Sequence, residues 1–202
     1  MKRYILLLLV FTYLTPVWSS EITKPTFYVI GVKNNVKDKE WNDTGIGFGI
    51  SNLISQFVYD SGEFNPLEKK SEIIETIEKQ RVLYWKYKGK LDETEFKEKA
   101  EKVQADYVFL GVVKKCKKYK KKAFVGFVSK YQTKIKVFFT LHMIDQKTGK
   151  KFVSDGVGFA EKGATGIVFE VIKGKIDFNS TMVGIATREA VKNSVEKLIK
   201  KL

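Results

Sequence analysis

Between Gln132 and Ile144 apolar and polar residues alternate. Ile135, Val137, Phe139, Leu141 and Met143 share one side at a period of two, and Lys134, Lys136, Thr140 and His142 share the other. This is the pattern of a half-buried antiparallel strand, and it commits the neighbouring chain to pair with it. Asp106 to Val113, DYVFLGVV, is rich in Val, Tyr and Phe and predicts a second strand. Asp145-Gln146-Lys147-Thr148-Gly149 places Asp and Gly in turn positions, and Phe152 to Phe159 leads back as a third. The result is a meander with a long loop after Val113. It cannot hold itself in water, so helices must cover its apolar face.

The rest of the chain supplies them. Thr26 to Val32 is an apolar run of strand length. Thr44 is the expected N-cap of a helix in which Ile46, Ile50, Leu53, Ile54, Phe57 and Val58 recur at three- and four-residue spacing, ended by Ser61-Gly62. Phe64 to Glu68 reads as a short edge strand, because Pro66 cannot donate to a ladder. A second helix starts near Ser71 and buries Ile73, Ile74 and Ile77. Asp92 with Glu95 caps a third, striped by Phe96, Ala100 and Val103. A last helix from about Ser180 to Leu202 carries Val191, Val195, Leu198 and Leu202. This order predicts an α/β or α+β sandwich, a mixed and largely antiparallel sheet covered by helices, with two β-hairpin-like insertions.

Lys2 and Arg3 precede an apolar run to Leu14, and Val17 and Ser19 occupy the small-residue positions of a cleavage site. Residues 1–19 are therefore expected to be a secretory signal peptide, leaving 20–202 as one domain without a lipidation cysteine at its start. The formal charge is +14, of which Lys2 and Arg3 carry two units. One cysteine, Cys116, excludes an internal disulfide framework, and a lone His and Cys cannot make a zinc site. No cofactor is expected. No nucleophile partnered with a base, and no acidic pair at a catalytic spacing, is recognisable, so the chain reads as non-enzymatic.

Lys114 to Lys122, KKCKKYKKK, is the strongest anomaly. Lys114, Lys115, Lys117, Lys118, Lys120, Lys121 and Lys122 read either as a solvated loop tip or as a docking site for an anionic partner. Export would make that partner a lipid headgroup, a cell-wall polymer or an acidic protein, with no nucleic acid. Nearby lysines should favour the Cys116 thiolate, and an inert loop cysteine is the alternative that weighs more. Tyr84, Trp85 and Tyr87, interleaved with lysines, either meet an interface or close the core. Gly45-Ile46-Gly47-Phe48-Gly49 lacks the spacing of a phosphate-binding loop, and close helix packing explains it better. Residues 123–131 and 163–178 are apolar and β-prone where a compact domain would need only loops.

Six segments in this order resemble the curli-assembly CsgG family: a first strand ending in VKNN, Trp41 before the glycine-rich helix start, DSGEFNPLEK, ADYVFLGVV, IDQKTGKKF and GIATREAVKNSVEKL. The resemblance implies a periplasmic or outer-membrane protein that takes part in assembling and secreting curli-like fibres or surface polymers. It implies membrane-spanning hairpins at about 114–134 and 160–178, copies associating into a ring that closes a β-barrel export channel, and secreted subunits as partners. It also places a channel constriction in the loop from Asn34 to Phe48, with Trp41 and Phe48 as its aromatics. The chain departs from that pattern in its missing lipidation cysteine and short inserts. A soluble periplasmic binding module that docks an anionic partner or cell-wall component is the alternative.

Overall fold

The first strand, TFYVIGVKN, buries every residue after Thr26, which demands cover on both of its faces. In the computed structural model residues 23–67, 85, 92–125, 128–161 and 168–202 are described, with backbone only for 121–125 and 128–132. The expected signal peptide, the helix near Ser71, and Tyr84 and Tyr87 lie outside these residues. The elements are β1 (Thr26–Asn34), a 3-10 turn (Lys39–Trp41), α1 (Thr44–Asp60), β2 (Asn65–Pro66), α2 (Glu93–Glu101), β3 (Tyr107–Val125), β4 (Val128–Asp145), β5 (Lys151–Ala160), β6 (Glu170–Ile172), β7 (Lys175–Asp177) and α3 (Met182–Ile199).

They form an α+β sandwich on a five-stranded mixed sheet in the order β2-β1-β3-β4-β5. β1 runs parallel to β2 and β3, and β3, β4 and β5 are antiparallel. On one face Val29, Phe109, Phe139 and Leu141 pack with Ile46, Ile50 and Ile54 of α1 and Val183, Ala190 and Val195 of α3. On the other, Tyr28, Ile30, Val108 and Leu110 meet Phe96 and Ala100 of α2. The nine residues of α2 span only about 14 Å, too short to cover the whole second face. The far ends of β3, β4 and β5 are left with exposed side chains on that face, Tyr119 and Phe159 among them.

The helix ends follow the local chemistry. Asp92 accepts from the backbone N–H of Thr94 and Glu95, as its spacing predicts. In α1 the cap is Asp43, one residue earlier than expected, because its carboxylate reaches the Gly45 N–H at 2.8 Å. Thr181 caps α3, and Leu202, expected on its apolar stripe, lies past the helix end and is exposed. The glycines of α1 do serve packing: a Cβ on Gly47 would lie 2.9 Å from the Trp85 ring, and one on Gly49 would lie 2.6 Å from Phe178.

The outer edge of β5 is closed by one row of side chains from the last helix, at a spacing of four residues. The Phe159 N–H donates to Glu189 Oε2 at 2.6 Å, Asn193 Nδ2 donates to the Val157 carbonyl at 2.8 Å, and Lys197 and Lys201 Nζ donate to the carbonyls of Asp155 and Val153. Backbone groups that would otherwise template another strand are thereby occupied. At the opposite edge, β2 is two residues long and contains Pro66.

One expectation needs correction. Lys114 to Lys122 is not a loop, because β3 continues through it, paired with β4 as far as Val125 opposite Val128. The segment 160–178 contains a hairpin as expected, whose paired part among the described residues is β6 and β7, three residues each, turning at Lys173 (φ 51) and Gly174 (φ 75). Residues 162–167 lie outside the described part.

Asp106 joins the starts of β1 and β3. Its carboxylate accepts from the N–H and hydroxyl of Thr26, both at 2.8 Å, and pairs with Lys147 at 3.0 Å. The Thr26 backbone bond foremost, then Lys147, hold its pKa down at about 2, against an ordinary 3.8. Because the folded value is depressed, the stabilisation is present above the ordinary value and is lost as pH falls through the interval. Asp106→Ala should cost about 1 kcal/mol at neutral pH, less than the pKa gap alone implies because solvent screens the exposed Lys147 pair, and the gap to the parent in urea titrations should close as pH drops from 3.8 toward 2.

Candidate functional site

The lysines of β3 divide between the two faces of the sheet, and a β-bulge decides how. Val113 lies opposite Phe139 and points into the helical core, but the register slips by one residue before Lys115, which lies opposite Phe138. Lys114 and Lys115 therefore both face away from the large helices, Cys116 turns inward, and Lys117 and Tyr119 return to the open side. Lys118 and Lys120 lie on the helix side. Lys121 and Lys122 belong to the strand, with their side chains outside the described part.

On the open face these residues join Lys134, Lys136 and Phe138 of β4 and Val153, Asp155, Val157 and Phe159 of β5. Lysines and rings interleave: Lys136 Nζ lies 4.9 Å from the Phe138 centroid and 4.8 Å from that of Phe159. Lys117 stands 5.9 Å over Phe138, and Lys134 5.7 Å over Phe159. Lys117 and Lys136 are direct cross-strand partners, an arrangement of like charges that costs stability when nothing lies between them.

Counter-charges are unevenly placed. Lys114 pairs with Asp155 at 3.2 Å, Lys118 with Glu40 at 2.5 Å and Lys134 with Glu161 at 2.8 Å. Lys115, Lys117 and Lys136 have no carboxylate partner among the described residues. Asp155 is held below the usual carboxylate range by the Thr140 hydroxyl and, less strongly, by Lys114. His142, at the border toward α2, is pushed down by its partial burial and by Lys114, so at neutral pH it adds little charge to the face.

Cys116 is not the activated thiol that the lysine run alone suggests. Burial against the helical core outweighs the neighbouring Lys118 and pushes the thiol up to about 11, so the lysine run does not make it a thiolate. Among the described residues no group of three or more His, Cys, Asp or Glu could hold a metal ion.

Trp41 and Phe48, the expected constriction aromatics, are placed apart. Trp41 has no exposed surface; it stacks on Trp85 at 6.3 Å and meets the Phe169 ring edge-on at 4.8 Å. It is a core residue, not one presented to a lumen. Trp85, from the aromatic and basic stretch, likewise closes the core, donating Nε1–H to the Trp41 carbonyl at 3.0 Å. Phe48 is half-buried in a groove of about 560 Å³ between α1, the β6–β7 ribbon and α3. Asn52, Gln56, Phe178 and Arg188 also line it, and Arg188 lies over the Phe57 ring at 5.4 Å.

The sequence pointed to the lysines of β3 but not to Lys134, Lys136 and Phe159 as their companions. The Lys-Ile-Lys-Val alternation on β4 carried that signal. Phe159 carried none, since only the pairing of Phe159 with Lys136 brings it to the site.

Among the described residues no helix is long and apolar enough to cross a membrane. No family model matches the chain, and no curated protein matches it. Solved structures do show likeness. The hypothetical protein CT253 from Chlamydia trachomatis is 10% identical with a TM-score of 0.49, over 87% of this chain and 95% of that one. Lipoprotein GNA1162 from Neisseria meningitidis is 11% identical with a TM-score of 0.42, over 71% of this chain and 88% of that one. A minor lipoprotein from Acinetobacter baumannii is 5% identical with a TM-score of 0.30, over 84% and 89% of the two chains. At these identities and scores the likenesses carry no argument about this chain.

Proposed function

We propose that the chain is a non-enzymatic binding module of the bacterial cell envelope, exported to the periplasm, that docks an anionic partner on the open face of β3, β4 and β5. The observation that carries this reading is the charge distribution of that face. Lys117 and Lys136 lie over two phenyl rings and are direct cross-strand neighbours, Lys115 stands opposite Phe138 on the same face, and none of the three has a carboxylate partner among the described residues. An anion bridging Lys117 and Lys136 would remove their repulsion, so the site is built at a cost that binding recovers.

The test uses inorganic polyphosphate as the probe. Lys115, Lys117 and Lys136 replaced together by Gln should weaken its binding roughly tenfold, at about 0.5 kcal/mol for each exposed charge contact. The parent's affinity should fall steeply with added salt. The same substitutions should leave the urea midpoint unchanged or slightly raised. Undiminished binding by the triple variant would remove the face from consideration.

A second reading is the ring-forming export channel of curli-like fibre assembly. One observation favours it: beyond Val113, where pairing with β1 ends, β3 and β4 continue together to Val125 and Val128, a length comparable to the roughly 9–11 residues of a membrane strand. Against it, the ribbon carries Lys115 and Lys117 on one side and Lys118 and Lys120 on the other. A barrel strand needs one apolar side, and each lipid-facing lysine at mid-membrane costs about 2–4 kcal/mol. Light scattering on the purified chain separates the two readings. A large detergent-requiring assembly supports the channel, and a species of one or two copies supports the binding module.

A further inference from the structure

We infer that the anionic partner is a phospholipid bilayer, and that the open face of β3, β4 and β5 docks flat on its headgroups. The inference rests on the binding-module reading and narrows it to one class of partner. Three observations lead to it.

The first is shape. The face is formed by side chains of three adjacent strands, whereas the grooves beside Phe48 and Arg188 open on the other side of the sheet, against α1 and α3. A strand surface that none of these grooves enters matches an extended planar partner better than a compact ligand.

The second is the state of the rings. Lys136 covers Phe138 and Phe159 at 4.9 and 4.8 Å, with Lys117 and Lys134 within 6 Å of the same rings. Ring faces occupied by ammonium groups are poor platforms for stacking bases or sugars, which is how a single-stranded or saccharide polymer would gain affinity. Aromatic edges and aliphatic lysine stems below a layer of ammonium groups instead suit a headgroup region, where amphipathic side chains bury their stems and keep their charge at the phosphates.

The third is exposed apolar surface within the basic patch. Tyr119 and Val153 are 44% exposed and Phe159 43%. A fully hydrated polyanion has no use for that surface, whereas the interfacial layer of a bilayer does. Of the acids at the margin, Asp155, Glu161 and Glu93 are each paired with a lysine and Glu189 accepts from the Phe159 N–H, which limits their repulsion of the membrane.

Co-sedimentation of the purified chain with vesicles tests the inference. Vesicles of phosphatidylcholine and phosphatidylglycerol should bind it, and vesicles of phosphatidylcholine alone should not. Lys115, Lys117 and Lys136 replaced together by Gln should lower the partition coefficient on the order of 100-fold. Phe159→Ser should lower it about fivefold while leaving inorganic polyphosphate binding unchanged, a separation that only membrane docking produces. Polyphosphate binding without vesicle binding would overturn the lipid assignment and leave the binding module standing. Loss of both would remove both. Equal binding to neutral vesicles, indifferent to the lysines, would overturn the inference in favour of apolar insertion.

Discussion

Gly158→Ala is expected to abolish cooperative folding. A Cβ built there would sit 1.9 Å from the Ala186 carbonyl oxygen and 2.5 Å from the Ala190 nitrogen; at Gly156 it would meet the Ala190 oxygen at 1.9 Å. These are backbone atoms in the middle of α3, so no rotamer change relieves the overlap. The helix must lift off the sheet. It is held down by the buried seam of Val183, Ala186, Ala190, Val191, Val195 and Leu198, and by the side-chain row that ties Glu189, Asn193, Lys197 and Lys201 to the edge of β5. Separation breaks both sets of contacts together. The cost should exceed about 4 kcal/mol, a large part of the 5–15 kcal/mol that stabilises a typical domain. Urea titration followed by circular dichroism should show no cooperative transition, or one shifted to very low denaturant. Gly149→Ala is the control. Its site (φ 70) is open, and only the left-handed backbone is strained, so the loss should be about 1 kcal/mol. A Gly158→Ala protein melting like its parent would mean that α3 is not seated against β5 in this way.

The same contact explains why part of the candidate site was hidden in the sequence. Gly156 and Gly158 alternate with Val157 and Phe159, a pattern that shows a strand but not which of its faces meets a helix. What was legible was local. The alternation from Ile135 to Met143 has its apolar side buried as expected, with Lys136, Phe138 and His142 half-buried and Thr140 buried on the other, Asp92 caps its helix, and Asp145 accepts from the N–H of Lys147 and Thr148 to close the turn at Gly149. What was not legible depended on a partner strand. Seven lysines within nine residues have low strand propensity, so the run reads as a loop. It is a strand because β4 offers a matching ladder, a long-range contribution that no local window contains. The bulge before Lys115 then reverses the phase. Strict alternation from Val113 would turn Lys115 and Lys117 inward and Cys116 outward, and the structure has the opposite.

Trp41→Ala should cost about 3–5 kcal/mol, the range for emptying a buried aromatic site that cannot collapse. The site cannot collapse because its neighbours are held from three directions. Asn34 Nδ2 and Trp85 Nε1 both donate to the Trp41 carbonyl, at 2.8 and 3.0 Å, and Asn34 Oδ1 accepts from the Val36 N–H at 2.8 Å. Phe169 leans on Trp41 from one side and on Phe178 from the other, linking this cluster to the chain that leads into α3. The indole N–H of Trp41 donates to the Cys116 sulfur, a weak acceptor. Trp41→Phe therefore gives up one weak hydrogen bond and part of the ring volume, and should cost clearly less than Trp41→Ala, within about 2 kcal/mol. Denaturant titration of both variants checks the ordering. The pair also bears on function, because a lumen-lining aromatic and a core aromatic respond oppositely. If Trp41 lined a constriction, Trp41→Ala would leave the urea midpoint in place and alter passage through a channel. Seated between Trp85 and Phe169, it should lower the midpoint strongly, while polyphosphate binding at Lys115, Lys117 and Lys136 persists in whatever fraction remains folded.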